Sequence, residues 1–215
     1  LLGGPPGWGK TELLNMLTKV PHVHPVGVLT EASLLSGTPR RDATGAKGGL
    51  LREMGDFGIL LIKDFGGILS LTREARGPIL AGLREIYDGA WTRVVGSDGG
   101  RILTWKGKAG LVGGATPSID GHYQVMAALG ERFVYFRLPT TDSAEIGQRA
   151  LTLAGREVAM RDELSRLATG FIANLPPLRI RSFTPDEANR LVALACFTAR
   201  CRSAIERDSY QNREI

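Results

Sequence analysis

Gly4-Pro5-Pro6-Gly7-Trp8-Gly9-Lys10-Thr11 carries the spacing G-x-x-x-x-G-K-[ST], and the helix-forming run Glu12-Leu13-Leu14-Asn15-Met16-Leu17 follows at once. A triphosphate held against backbone needs glycines for close approach, successive N–H donors and a helix start that favours negative charge. Pro5 and Pro6 have no N–H, so the donors must come from Gly7 through Thr11. Lys10 is placed to reach the terminal phosphates as a point charge, and the Thr11 hydroxyl to take one position on Mg²⁺. The expected binding set for the nucleotide is Gly4, Gly7, Trp8, Gly9, Lys10, Thr11 and Glu12. The competing account is a Gly/Pro-rich turn that merely ends in Lys-Thr, which leaves the adjoining amphipathic helix unexplained.

A second piece of the same chemistry is Phe57-Gly58-Ile59-Leu60-Leu61-Ile62-Lys63-Asp64. This apolar run suits a strand buried on both faces, and it closes on a carboxylate. In proteins with the phosphate loop such a strand lies beside the loop, and its terminal Asp orients Mg²⁺ through water. Asp64 is therefore read as a metal residue alongside Thr11, against the alternative of a buried strand that simply ends in Asp.

The elements needed to hold these residues follow in an alternating order. A helix is expected over 10–19, then an extended run Val26-Gly27-Val28-Leu29 closed by Thr30-Glu31, then a polar loop over 36–49 containing Arg40, Arg41 and Lys47. Ile79, Leu80, Leu83 and Ile86 recur at helical spacing and predict a helix over 73–87, ended by Asp88-Gly89. Trp91–Val95 and Arg101–Trp105 flank a Gly-Ser-Asp-Gly-Gly turn and predict a β-hairpin. Strands are expected over 109–115 and 133–138, with a short helix around 123–129 between them. Asp142 with Glu145, and Thr184 with Glu187, have capping-box spacing at the starts of C-terminal helices.

Bulk properties narrow the class. The chain has 215 residues, 43% hydrophobic and 23% charged, enough for one sizeable core or a core with a smaller helical part. A net charge of +5 fits an anionic partner or a plain basic surface. Cys196 and Cys201, five apart on one expected helix, do not share a face and read as free thiols. His22 and His24, bracketed by Pro21 and Pro25, read as loop residues without the partners of a metal site. No apolar run approaches the roughly 20 residues that span a bilayer, and no signal peptide is visible, so no membrane association and a cytoplasmic location are expected. Only Leu1 and Leu2 precede the loop, where a feeding strand of about 5 residues is usual, so the chain is expected to be part of a longer protein.

The order of loop, Asp-ended strand, hairpin, strand ending in Thr116, Arg132 before a last strand, and helical C-terminal part resembles an AAA+ P-loop ATPase core with its lid. A hairpin placed just before the strand that ends in Thr116 is similar to the branch holding superfamily 3 helicases and MCM-like motors. ATP-binding proteins of phage and mobile elements, often described as primase- or helicase-associated, share the likeness. The resemblance implies an α/β parallel-sheet core over 1–139 and a helical lid over 140–215. It implies that Thr116 takes the sensor 1 place near the attacked phosphate, and that Arg132 takes the arginine-finger place on a neighbour's nucleotide in a ring-like homo-oligomer. The alternatives are a strand-ending Thr-Pro and an Arg paired locally with a carboxylate.

One position departs from that family. Where its members carry Asp-Glu, Asp64 is followed by Phe65, which removes the usual base. A replacement could come from Glu31, because a carboxylate ending a strand adjacent to the loop strand serves that role in RecA-like ATPases, which this placement resembles; a solvated loop residue is the alternative. Asp64 serving both metal and water is another. The lid's sensor 2 arginine is not distinguished among Arg179, Arg181 and Arg190.

On the hairpin, Arg93, Arg101, Trp105, Lys106 and Lys108 combine phosphate-seeking charge with a stacking aromatic, as a single-stranded-DNA contact does. The competing account has Trp91 and Trp105 packing as a cross-strand pair beside solubilising cations. Together these readings give an oligomeric ATPase with Lys10, Asp64, Glu31, Thr116 and Arg132 as catalytic candidates, acting on nucleic acid. A protein remodeller, a DNA-packaging motor and a nucleotide-gated switch with little hydrolysis are the alternatives.

Overall fold

The structure, a computed structural model, describes residues 1–36, 48–96, 100–122, 125–126, 129–130, 132–139, 142–176 and 182–202, the side chains of 200–202 excepted. Arg40, Arg41, Lys47, Glu131, Arg179 and Arg181, the middle of the hairpin turn and most of the expected 123–129 helix lie outside the described residues.

Five parallel strands form the sheet: β1 (Leu2–Gly3), β2 (Val23–Val26), β3 (Phe57–Ile62), β6 (Lys108–Ala115) and β7 (Phe136–Arg137), in the spatial order β2-β3-β6-β1-β7. Between β3 and β6 the chain makes an antiparallel hairpin of β4 (Ala90–Val95) and β5 (Arg101–Lys106). The expected α/β class with a parallel sheet is therefore present. Leu60, Leu61 and Ile62 are buried, as a continuous apolar run in a covered parallel strand requires.

Helix α5 (Arg73–Tyr87) has the predicted span. The Thr72 hydroxyl accepts from the Ala75 N–H at its start, and Gly89 with φ 94° follows its end. Its face Ile79, Leu80, Leu83 and Ile86 is buried, and Trp91 of β4 lies so close to Gly82 that a Cβ there would stand 3.1 Å from the indole. The hairpin is thus clamped to α5 by the indole–glycine contact. The shorter helices are α1 (Lys10–Asn15), α2 (Glu31–Leu34), α3 (Leu50–Met54) and α4 (Phe65–Leu69).

Three boundaries differ from expectation. Helix α1 stops at Asn15, and the chain to Val20 tightens through i→i+3 bonds such as Leu17 N–H to Leu14 O and Val20 N–H to Leu17 O. The extended run lies over Val23–Val26 and not 26–29, so His24 and Pro25 are strand residues; Pro25 is tolerated because β2 is an edge with one partner, β3. The last strand is only Phe136–Arg137, because β1 has just two residues, Leu2 and Gly3, to pair with it.

Compactness divides the chain into Leu1–Asn174 and Leu175–Ile215. Helices α6 (Ser143–Thr152) and α7 (Glu157–Ala173) belong to the first unit. There, α7 lies along α1: Arg161 Nε is 2.7 Å from a Glu12 carboxylate oxygen, Lys19 Nζ 3.0 Å from Asp162, and the buried Ser165 hydroxyl donates to Met16 O at 3.3 Å. Asp142 caps α6 by accepting from Ala144 N–H, but Glu145 pairs with Arg149 one turn on instead of closing a box. In the second unit α8 (Pro185–Arg202) begins with the full Thr184–Glu187 box.

Candidate nucleotide-phosphate site

The connection leaving β1 heads toward the β2 edge of the sheet, and the one leaving β6 heads toward the β7 edge. Adjacent strands whose connections diverge open a crevice at their C-terminal ends, where α/β proteins place ligands. Gly4-to-Thr11 emerges from β1 at that point. The Gly4 N–H extends the pairing by donating to Ala115 O at 3.2 Å.

Within the loop, Gly7 (φ 80°) and Gly9 (φ 69°) take left-handed backbone conformations that L side chains resist. A Cβ at either would meet nothing within 4 Å, so these glycines serve backbone curvature in open space, not packing. The Lys10 ammonium folds back onto the loop, donating to Gly4 O at 2.7 Å and Pro5 O at 2.6 Å. Trp8 is half-buried and Thr11 is exposed. Glu12 is engaged by Arg161, whose hydrogen bond holds its carboxyl below the usual glutamate range.

Strand β6, not β3, stands beside β1, with Leu2 opposite Gly114 and Gly3 opposite Ala115. The residue following that neighbouring strand is Thr116, whose hydroxyl lies 2.6 Å from the Ser118 hydroxyl. The Asp-ended strand is one place further out: Ile62 pairs with Gly113, so Asp64 reaches the same sheet edge across β6. This corrects the expectation that β3 lies beside the loop. The Asp64 carboxylate caps α4 by accepting from the Gly67 N–H at 3.2 Å. Phe65 is fully buried against Phe133, with ring centroids 5.4 Å apart, which accounts for an apolar residue after Asp64.

Other candidates are placed apart from the loop. Glu31 follows β2, three places from β1, so the expectation that it ends a strand adjacent to the loop strand is corrected. It opens α2 and is gripped by Arg93, Nε to Oε1 3.1 Å. Arg132 forks onto both Asp88 oxygens at 3.1 and 3.0 Å, donates to Leu129 O, and sits 5.3 Å from the Tyr87 ring centroid. It is paired locally in this chain.

The hairpin residues do not assemble into one patch. Trp105 is buried opposite Trp91 and donates its indole N–H to Gly55 O at 2.6 Å, so its ring is part of the core and is not presented for stacking on a base. Arg93 is turned inward to Glu31 and Leu35 O. Arg101 pairs with Val95 beside the turn, whereas the exposed Lys106 and Lys108 stand at the opposite end, where β6 begins.

Arg161 and Asp88 were missed from sequence, because they lie 149 and 44 positions from the residues they hold. No protein-family model matches the chain, and no curated protein matches it. Among the described residues there is no group of three or more His, Cys, Asp or Glu side chains that gathers a metal, and no helix long and apolar enough to cross a membrane. The loop nonetheless fits a phosphate group: it has an ammonium on its own carbonyls, two glycines curved into open space and an exposed threonine hydroxyl. A cation here would depend on phosphate oxygens, Thr11 and Asp64 together, as Mg²⁺ sites commonly do.

Proposed function

We propose that the chain is an ATP-binding and ATP-hydrolysing module of the AAA+ type, acting as an oligomeric nucleic-acid motor of the helicase- or primase-associated kind, in the cytoplasm. The observation that carries the reading is the Lys10 ammonium on the Gly4 and Pro5 carbonyls, in a loop that leaves β1 where the sheet's connections diverge. Carbonyls are weak substitutes for phosphate oxygens, so an arriving triphosphate draws Lys10 off them into a charge-assisted contact. N–H groups of Gly7 through Thr11 cradle the phosphates, while Thr11 and Asp64 are the residues that would hold Mg²⁺. When bound, that ion neutralises charge on the phosphate oxygens. Thr116, just past the end of the strand beside the loop, orients the water.

Arg132 acting on a neighbouring subunit's nucleotide requires release from Asp88, so assembly and hydrolysis are coupled through that pair. The test is steady-state ATP hydrolysis across a protein-concentration series, with and without single-stranded DNA and with Lys10→Ala as the blank. Turnover that rises with concentration and again with DNA supports the motor. Stimulation by polypeptide or duplex instead transfers the reading to a remodeller or a packaging motor.

A nucleotide-gated switch is the second reading, and burial of Phe65 favours it. No carboxylate follows Asp64, and Glu31 is held by Arg93. That reading predicts ATP binding with turnover at the Lys10→Ala level under every condition.

A further inference from the structure

Lys63 follows β3, directly after the buried Ile62, and is exposed at the C-terminal end of the sheet. A Cβ placed on Gly114 of β6 would stand 2.5 Å from Lys63 O and 3.0 Å from the Leu14 side chain, so Lys63 and α1 meet over the same point of β6. Helix α1 continues the phosphate loop, and Lys63 therefore stands beside it from the β3 side. Its charge is felt there. The Glu12 carboxyl, next to Thr11, is held below the usual glutamate range first by the Arg161 hydrogen bond and last by the attraction of Lys63.

Three other cations near the loop are engaged. Lys10 lies on the Gly4 and Pro5 carbonyls, Arg161 on Glu12, and Arg137, in register with Gly3, on Asp120 at 2.6 Å. Among the described residues the Lys63 ammonium makes no hydrogen bond and no ion pair. The neighbouring Asp64 does not hold it, because its carboxylate accepts from the Gly67 N–H and successive extended residues leave the backbone on opposite sides.

We propose that Lys63 is a second phosphate-binding cation of this site, taking the terminal phosphate of a nucleoside triphosphate from the β3 side while Lys10 holds the phosphates from the loop. Asp64 and Thr116, the groups assigned to Mg²⁺ and to the attacking water, both follow strands on that side of β1, so the terminal phosphate lies toward β3. An ammonium on a flexible four-carbon stem is a compact point charge with three donors, which suits phosphate oxygens. A diphosphate ends one group earlier and leaves Lys63 in water. The assignment rests on the ATP reading and supplies the group by which that site tells ATP from ADP.

The experiment is displacement of a fluorescent ATP analogue from the whole chain by ATP and by ADP. Lys63→Gln weakens ATP about tenfold or more, the size of a lost charge-assisted hydrogen bond, and changes ADP less than about threefold. Lys63→Arg, which keeps the charge, stays within about threefold of the parent for both. Arg149→Gln, which removes a surface cation of α6, leaves both at the parent value. In a Glu12→Gln background the Lys63→Gln loss on ATP is undiminished, because the ammonium acts on phosphate and not through that carboxylate. Without nucleotide, Lys63→Gln melts with the parent.

Equal losses for ATP and ADP, no loss for either, or a loss that vanishes in the Glu12→Gln background overturns the assignment and leaves the ATP reading standing. A parent chain that does not bind the analogue overturns the ATP reading and this assignment with it. Should melting show that Lys63→Gln unfolds the chain, Lys63→Ala is judged by the same criteria.

Discussion

Arg93 and Glu31 are joined across 62 positions, Nε to Oε1 at 3.1 Å, and the same guanidinium donates to Leu35 O at 2.7 Å. The pair fastens the hairpin to the start of α2. Arg93→Met removes both contacts and leaves a partly buried carboxylate and carbonyl, so it lowers stability by about 1–3 kcal/mol in urea unfolding. A double-mutant cycle with Glu31→Gln yields a coupling of about 0.5–1 kcal/mol, the size of a half-exposed ion pair. Glu31→Gln that abolishes turnover at unchanged stability would return Glu31 to the chemistry.

Phe65 is a core residue in a place where the resembling family carries a base. Phe65→Ala costs about 3–5 kcal/mol through loss of burial and the cavity left against Phe133. Phe65→Glu is at least as damaging, because it puts a carboxylate among apolar side chains. Urea midpoints of the two variants check this; a stable Phe65→Glu chain with faster ATP turnover would sink the packing account.

At Gly114, β6 passes between β1 and β3 so closely that a Cβ would stand 2.5 Å from Lys63 O and 3.0 Å from the Leu14 side chain. Gly114→Ala must therefore shift backbone beside the loop, costing about 2–3 kcal/mol. Gly7→Ala meets open space and strains only its left-handed backbone, costing about 1–2 kcal/mol. Thermal melting of the two variants should rank them in that order.

The Glu12–Arg161 pair carries a pH signature. Its hydrogen bond lowers the Glu12 pKa in the folded chain, so its stabilisation is present above the unfolded glutamate value and is lost as pH falls through the lowered folded one. Glu12→Gln should accordingly melt below the parent at pH 7, with the gap closing as pH falls through the lowered Glu12 value. Both side chains are exposed, so added salt should narrow the gap at neutral pH as well. A gap independent of pH would show that packing of α7 on α1, and not this charge pair, is what the substitution disturbs.

Much of the local architecture was legible. Helix α5 matched its apolar spacing to the residue, the hairpin matched its glycine-rich turn, and β3 matched its apolar run. The end of α1 was misread because tightening into i→i+3 bonds leaves no mark on the apolar pattern. Strand β2 was misread because Pro25 argues against a strand unless the strand is known to be an edge.

From the sequence alone came the glycine-rich loop with Lys10 and Thr11, the alternation of strands and helices, and the cationic character of the hairpin. Each is written in neighbours within about ten positions, at the periods of 3.6 and 2 that helices and strands impose. The tertiary structure decided that β6 stands between β1 and β3, that Trp105 belongs to the core, and that Glu31, Arg132 and Glu12 are held by Arg93, Asp88 and Arg161. Those outcomes join residues 44 to 149 positions apart. At such separations the partner is chosen by which surfaces pack, because a charged or aromatic side chain carries no local signal of the residue it will meet.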